Sequence, residues 1–122
     1  MDTFNRFEIW YAELPVLEHS SVIRGRRPVI LISNNAANTY SSVVTVIPIT
    51  SRICKQQLPT HVFLSGFGLA KSSIALCEQV MAVDKARLIK KIGYVTDFFT
   101  QLQISHALKI QMGLEPLLRP AA

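Results

Sequence analysis

Short apolar runs, rich in β-branched and aromatic residues and separated by polar turn segments, make up most of the chain as far as Val95. These runs are Glu8–Leu14, Arg27–Ser33, Val43–Thr50, Thr60–Leu64, Ser73–Val83 and Ile92–Val95. Their length and composition are typical of β-strands. No helical segments alternate with them, which argues against a parallel sheet built from β–α–β units. The sequence therefore predicts a mainly β fold with helices (α+β class), organised as a small antiparallel barrel.

Three local features refine this prediction. Pro48 lies inside an apolar run, and it favours an edge strand or a bulge because proline has no N–H to donate to a neighbouring strand. The segment 34–41 is rich in asparagine and serine and predicts a turn. Glu78-Gln79 predicts a break in its apolar run, and Asp84 can cap a short helical turn after that run.

One sizeable helix is predicted near the C-terminal end, from Asp97 to Met112. Thr96 or Asp97 supplies its N-cap, and Gly113 followed by Pro116 ends it. Its apolar residues spread over more than one face: Phe98, Phe99, Leu102, Ile104, Leu108, Ile110 and Met112. A helix with this pattern is usually buried on two sides. This pattern is one reason to expect a homodimer.

The net charge of +5 on 122 residues indicates an anionic partner, of which nucleic acid is the commonest. The basic residues concentrate in short segments: Arg24, Arg26 and Arg27; Arg52 and Lys55; and Lys85, Arg87, Lys90 and Lys91. The length suits a single domain spanning 1–122, and an apolar fraction of 49% indicates a chain that buries a core.

The motifs of several enzyme classes are missing from the sequence. It contains no GxGxxG, P-loop, HExxH or GxSxG pattern. The histidines are scattered, the two cysteines form no CxxC pair, and the few carboxylates do not cluster, so no metal site and no cofactor are expected. Neither a signal peptide nor an apolar stretch of transmembrane length is visible. We therefore expect a soluble, cytoplasmic protein.

Several short motifs, in order along the chain, resemble the MazF/PemK toxin family. They are EIW at 8–10, GRRPV at 25–29, Asn34, PITS at 48–51, LPTHV at 58–62, EQ at 78–79 and DKxRL at 84–88. Each is weak alone, but together they are collinear and cover about residues 7 to 114. The resemblance implies an SH3-like β-barrel with a C-terminal helix. It also implies a homodimeric toxin that cuts single-stranded RNA without a metal and is inhibited by a cognate antitoxin.

The same resemblance places the active site on Arg27 and Thr50. In the family the arginine handles proton transfer and transition-state charge, and the threonine holds the phosphate that is cut. Ser21, Ser51 and His19 are candidates to assist. The candidate RNA-binding residues are Arg24, Arg26, Arg52, Lys55, Glu78 and Gln79.

Some of these candidates also have simple structural explanations. Glu78 and Gln79 could bond RNA bases, or could cap a strand and bind backbone. His19 could act as a base because histidine titrates near neutrality, but an exposed loop residue is the preferred interpretation. His61 is expected to serve structure. Relatives often carry an acidic residue in the loop at 20–23, where this chain has none, a difference that concerns RNA-sequence preference.

The expected reaction is a transesterification in which the RNA 2′-OH attacks the adjacent phosphate. It leaves a 2′,3′-cyclic phosphate and a 5′-OH. Two alternatives remain: a toxin of the same fold that binds DNA gyrase, as CcdB does, and a non-catalytic barrel that binds nucleic acid. The pairing of Arg27 with Thr50 weighs against the gyrase-binding alternative.

Overall fold

The computed structural model describes residues 3–53 and 56–115 of the chain. Seven strands form one antiparallel sheet: β1 Glu8–Leu14, β2 Gly25–Leu31, β3 Val43–Thr50, β4 His61–Leu64, β5 Ser73–Leu76, β6 Met81–Asp84 and β7 Leu88–Tyr94. Their order is β4-β5-β3-β2-β1-β7, and β6 also pairs with β3. Two α-helices, α1 Asn35–Tyr40 and α2 Phe98–Gln111, complete the fold. The predicted class is confirmed as a barrel-like sheet with a C-terminal helix, although the sheet is not closed.

The prediction that Pro48 marks an edge strand or a bulge is wrong. β3 is the central strand, and Pro48 is buried there opposite Val29 of β2. On its other side β3 pairs with β6 through residues 43–46 and with β5 through Ile49 and Thr50. The missing N–H of Pro48 is tolerated because it falls between these two partners.

Two hydrophobic clusters cover the two faces of the sheet. The first contains Phe7, Ile9, Ile30, Ile32, Ile47, Ile49, Val62, Leu64, Val95, and Ile104 and Ala107 of α2. The second contains Trp10, Ala12, Leu14, Val29, Leu31, Val44, Val46, Val83 and Leu88. Neighbouring residues of β1 to β3 alternate between the clusters, as the two-residue period of a strand requires. The strands β1 to β3 are therefore packed on both faces.

Cys77 lies in the first cluster and is fully buried. Burial, with a smaller contribution from the charge of Glu78, raises the pKa of the Cys77 thiol to about 12. Thiolate is the reactive form of cysteine, so this side chain is chemically inert at neutral pH.

The helix predicted near the C-terminal end is confirmed, whereas the turn predicted at 34–41 is wrong. Asp97 caps α2 by accepting the N–H groups of Phe99 and Thr100, and Gly113 follows the helix with a positive φ of 72°. The segment predicted as a turn at 34–41 instead contains α1, which Asn34 caps by accepting the N–H of Ala37 at 2.9 Å. No helix of the described residues is long and apolar enough to cross a membrane.

Glu8 is a buried carboxylate at the start of β1, with 2% of its surface exposed. Its Oε1 accepts the backbone N–H of Asn5 at 2.9 Å and the indole N–H of Trp10 at 3.0 Å, and Lys91 Nζ lies 3.0 Å from its Oε2. Burial by itself raises the pKa of Glu8, but these hydrogen bonds together outweigh it, so the pKa lies below the usual value. The charged carboxylate joins the N-terminal segment, β1 and β7.

We expect Glu8→Gln to lower the free energy of unfolding at pH 7 by about 2 kcal/mol, the usual scale for buried hydrogen bonds to a charged group. Because the pKa is lowered on folding, the stabilisation by Glu8 is complete above the unfolded-state pKa of about 4.3 and is lost as pH falls through the folded-state value. The variant should therefore lose less stability than the wild type between pH 7 and pH 3. Urea unfolding at both pH values measures this, with the half-exposed Glu13→Gln as control. Equal acid sensitivity of the wild type and Glu8→Gln would contradict it.

Candidate active site

The C-terminal end of β3 opens into a cleft of about 880 Å³. Its wall is formed by several segments of the chain. They are the β1–β2 loop, the start of β2, the segment after β3, and β4 and β5 with the turn that follows β5. Its lining residues are Ser21, Ile23, Arg27, Thr50, Ser51, Arg52, Gln56, Leu58, His61, Ile74, Leu76, Glu78 and Gln79. Of the eleven candidates from the sequence, Arg27, Thr50, Ser21, Ser51, Arg52, Glu78 and Gln79 come together here. We call this space the main cleft.

Arg27 is half-buried in β2 and is fixed by a hydrogen bond within its own segment. Its Nε donates to the carbonyl oxygen of Arg24 at 2.8 Å. This bond uses one of the five N–H donors of the guanidinium and leaves the four donors on Nη1 and Nη2 for an anion. The group is therefore oriented before any ligand arrives.

Thr50 is the last residue of β3 and pairs with Ile74 of β5. Its Oγ1 accepts the backbone N–H of Arg52 at 3.1 Å. The hydroxyl is thereby held as an acceptor on one side, and its own hydrogen remains available to donate. The same bond turns the chain after β3 so that Ser51 and Arg52 both line the main cleft.

Gln79 lies in a 3-10 turn, Cys77–Gln79, between β5 and β6. Its Oε1 accepts the backbone N–H of Ile23 at 2.6 Å. This contact spans 56 residues of sequence and holds the β1–β2 loop, including Ser21, beside the cleft. The sequence left open whether Gln79 bonds RNA bases or binds backbone. Its side-chain carbonyl group binds backbone, that of Ile23.

His61 and Glu78 together form a wall of the main cleft. The sequence predicted Glu78 as an RNA-binding residue but did not reveal His61 as part of the site. His61 Nδ1 accepts the N–H of Leu58 at 3.1 Å, and its Nε2 lies 2.9 Å from Glu78 Oε2. Thr60 donates its hydroxyl to Glu78 Oε1 at 3.0 Å. Both oxygens of Glu78 are thus engaged by β4 and its preceding turn. No local motif signals this arrangement, since it depends on the pairing of His61 with Leu76 across two strands.

Three further candidates, His19, Arg24 and Arg26, are described by the structure and do not line the main cleft. His19 is exposed in the β1–β2 loop with a φ of 55°. Arg24 contributes its carbonyl group to Arg27, and Arg26 lies 3.7 Å from Glu13 in an exposed ion pair. Lys55 lies outside the described residues. Over residues 3–53 and 56–115, no group of three or more His, Cys, Asp and Glu side chains is placed to hold a metal ion.

The main cleft thus combines cationic and hydroxyl donors, of which Arg27 and Thr50 are held by hydrogen bonds. Arg27 and Arg52 supply guanidinium groups, and Thr50, Ser21 and Ser51 supply hydroxyls. A guanidinium pairs with the oxygens of a phosphate through parallel hydrogen bonds, and hydroxyls add single oriented donors. The arrangement suits a phosphodiester.

The family model for the PemK-like, MazF-like toxins of type II toxin–antitoxin systems matches residues 5–112. The chain belongs to this family. A family relative, Endoribonuclease MazF from Staphylococcus saprophyticus, is 37% identical over 114 residues, which cover 92% of this chain and 93% of that protein. The resemblance inferred from the short motifs is therefore confirmed.

Solved structures of toxins from this family share the fold. MazF from Deinococcus radiodurans superposes with a TM-score of 0.78 at 18% identity, covering 93% of this chain and 99% of that one. A mycobacterial endoribonuclease in complex with its cognate antitoxin gives a TM-score of 0.74 at 23% identity, covering 93% and 98%. At these identities the likeness establishes the fold alone: this chain shares its sheet and C-terminal helix with those proteins.

Proposed function

We propose that this chain is the toxin of a type II toxin–antitoxin pair and cuts single-stranded RNA in the main cleft. The observation that carries the proposal is that Arg27 of β2 and Thr50 of β3 line a single cleft. This cleft is rich in side chains that can donate hydrogen bonds to a phosphate. Membership of the toxin family and 37% identity to a protein named Endoribonuclease MazF support it. The cut falls at preferred RNA sequences, most often in mRNA.

The proposed reaction is an internal transesterification. The 2′-oxygen of one nucleotide forms a bond to the adjacent phosphorus as the bond from phosphorus to the 5′-oxygen of the next nucleotide breaks. The 2′-hydroxyl loses its proton and the departing 5′-oxygen gains one, which leaves a 2′,3′-cyclic phosphate and a 5′-OH. No divalent metal takes part.

Each donor of the main cleft has a place in this reaction. Arg27 stabilises the negative charge that grows on the phosphoryl oxygens. Thr50 donates its hydroxyl to the same phosphate. Ser21 and Ser51 lie where their hydroxyls can assist, and Arg52 binds a neighbouring phosphate. His61 has partners on both ring nitrogens, so we assign it to positioning of the wall.

An RNA-cleavage assay in the presence of EDTA tests the proposal. A long RNA incubated with the purified chain should give discrete fragments with 2′,3′-cyclic phosphate ends, and EDTA should leave the rate unchanged. Binding without cleavage would point to a non-catalytic barrel that binds nucleic acid. Neither binding nor cleavage, together with capture of DNA gyrase, would point to a gyrase-binding toxin. Either result would overturn the proposal.

We further propose that the antitoxin presents an acidic, disordered segment that folds onto the main cleft. Positive charge attracts such a segment to the same surface that attracts RNA. Antitoxin and RNA should therefore compete, and antitoxin binding should weaken as salt rises. A displacement titration with a fluorescent, non-cleavable RNA measures both effects. Simultaneous binding of the two ligands would contradict a shared surface.

We also propose that the chain is a homodimer in which α2 contributes to the interface. Phe98, Phe99 and Leu102 leave 70%, 65% and 51% of their surfaces exposed, although Ile104 on the same helix is fully buried. Stable dimer interfaces bury apolar patches of this kind. Light scattering at micromolar concentration should give about twice 13.6 kDa. Replacing Phe98 and Phe99 with serine should shift the mass toward one chain, and a wild-type monomer would refute the proposal.

A further inference from the structure

A second, smaller cleft of about 280 Å³ adjoins the main cleft. Arg27 and Ser51 line both spaces, so these two residues form the boundary between them. If the cleaved phosphate lies on Arg27, the RNA strand leaves it in two directions. One direction leads into the main cleft, and the other leads into the smaller one.

The smaller cleft carries the groups that a nucleotide requires. Tyr11 on β1 is 36% exposed and stands opposite Pro28 of β2, on the same face of the sheet. Lys71 lies across the cleft in the loop between β4 and β5 and is exposed. Aromatic rings stack on RNA bases of any sequence, and ammonium groups pair with backbone phosphates.

Lys71 is a more available cation than Arg26, which also lines the smaller cleft. The Arg26 guanidinium lies 3.7 Å from the Glu13 carboxylate, which offsets its charge. In the ion pairs found between described residues, Lys71 does not take part. Its charge is therefore free to meet a phosphate.

The loop that carries Lys71 is held in place by close backbone packing. A Cβ on Gly68 would lie 2.0 Å from the carbonyl oxygen of Ile92, and a Cβ on Gly93 would lie 1.7 Å from that of Phe67. Only glycine at both positions lets the loop and β7 approach this closely. The N–H of Leu69 also bonds to the carbonyl group of Gly66 at 2.9 Å. Lys71 thus follows a segment fixed against the sheet, which favours a preformed subsite.

We infer that the smaller cleft is a subsite for the nucleotide on the opposite side of the cleaved phosphate from the main cleft. Its base stacks on Tyr11, and its phosphate pairs with Lys71. The inference rests on the proposed ribonuclease function and adds to it. It extends the bound RNA past Arg27 and gives Tyr11 and Lys71 a role in substrate binding.

The test begins with a cut site mapped for the wild-type chain on a long RNA. Two sets of oligonucleotides around that site are then shortened one nucleotide at a time from either end. Lys71→Ala should raise KM for the full oligonucleotide several-fold at unchanged kcat, and should lower the slope of log affinity against log salt by about 0.7, the value of one single-strand phosphate contact. Arg87→Ala, which removes an exposed cation outside both clefts and outside α2, is the control and should change neither quantity.

Tyr11 is tested with two variants of the same strand position. Tyr11→Phe keeps the ring and should bind like the wild type, whereas Tyr11→Thr should weaken binding about ten-fold through the lost stacking. Removing the subsite nucleotide from the substrate should abolish the loss of affinity caused by Lys71→Ala and by Tyr11→Thr. Whether this happens with the oligonucleotides shortened from the 5′ end or with those shortened from the 3′ end identifies the side of the cut on which the subsite lies. If the wild type cleaves RNA but Lys71→Ala and Tyr11→Thr match Arg87→Ala, the subsite is refuted and the proposed function stands. If the wild type does not cleave RNA, both fail.

Discussion

Replacement of Arg27 by alanine should reduce the rate of RNA cleavage about 10²-fold or more. The phosphoryl oxygens gain negative charge in the transition state, and a donor oriented in advance toward such charge contributes on this scale. The Nε bond to the Arg24 carbonyl group orients the guanidinium before RNA binds, so little reorganisation is needed during the reaction. The loss should appear in kcat, because the charge that Arg27 meets is larger in the transition state than in the bound substrate.

Three companion variants separate this role from simple charge. Arg27→Lys keeps the positive charge but loses the planar pair of donors, and it should recover only a small part of the activity. Thr50→Ala removes one hydroxyl donor and should lose less than Arg27→Ala. Arg87→Ala, an exposed arginine that lines neither the main nor the smaller cleft, should cleave like the wild type. Affinity for a non-cleavable RNA should fall little in any of them, since the other basic residues supply most phosphate binding. Cleavage by Arg27→Ala within three-fold of wild type, at equal folding, would remove Arg27 from the mechanism.

The sequence predicted those parts of the fold that depend on local pattern. Every residue of 43–50 except Pro48 is β-branched, and β3 has those bounds in the structure. Asp97 and Gly113 are strong local signals, and α2 begins and ends beside them. The segment 34–41 was misassigned because asparagine favours both turns and helix N-caps. In the structure the segment is helical: the N–H of Ala37 donates a hydrogen bond to the Asn34 side chain, and Asn38 is buried.

The order of the strands was harder to predict, because it depends on pairing between distant segments. Pro48 signals an edge when a strand is read alone. In the sheet, two short strands share the same side of β3 and leave a gap where the proline is harmless. β7 was predicted to begin at Ile92, yet it begins at Leu88 because its first residues pair with β1. Neither fact can be read from neighbours in sequence.

In the candidate site, too, the sequence predicted what depends on local motifs and missed what depends on contacts between distant segments. Arg27 and Thr50 were identified through short motifs, and they lie in one cleft. The contacts that shape the cleft join residues far apart, such as Ile23 with Gln79 and His61 with Glu78. His61 was assigned to structure from its motif, and only the pairing of β4 with β5 places it in the wall of the cleft. Arg26 adjoins Arg27 in sequence and both line the smaller cleft, but of the two only Arg27 also lines the main cleft.

A single 2′-deoxy sugar on the 5′ side of the cut should abolish cleavage at that bond. The proposed nucleophile is the 2′-oxygen of that nucleotide, and nothing else in the mechanism can replace it. The substitution leaves every phosphate in place, so the main cleft should bind the deoxy oligonucleotide nearly as well as RNA. Loss of reaction at retained affinity would place the effect on the chemical step.

The experiment compares two oligonucleotides that differ only in that hydroxyl, with gel analysis of cleavage and fluorescence anisotropy for binding. A third oligonucleotide, with the deoxy sugar one position further in the 3′ direction, is the control and should be cut at close to the normal rate. Mass spectrometry of the RNA products should find the 5′ fragment one water lighter than a linear phosphate. The same cut should appear with EDTA present. If the deoxy substrate is still cleaved, the 2′-oxygen is not the attacking group and the internal transesterification is excluded. Arg27 and Thr50 would then bind the phosphate for a hydrolytic reaction. If activity instead depends on a divalent metal, the metal-independent form of the mechanism is refuted.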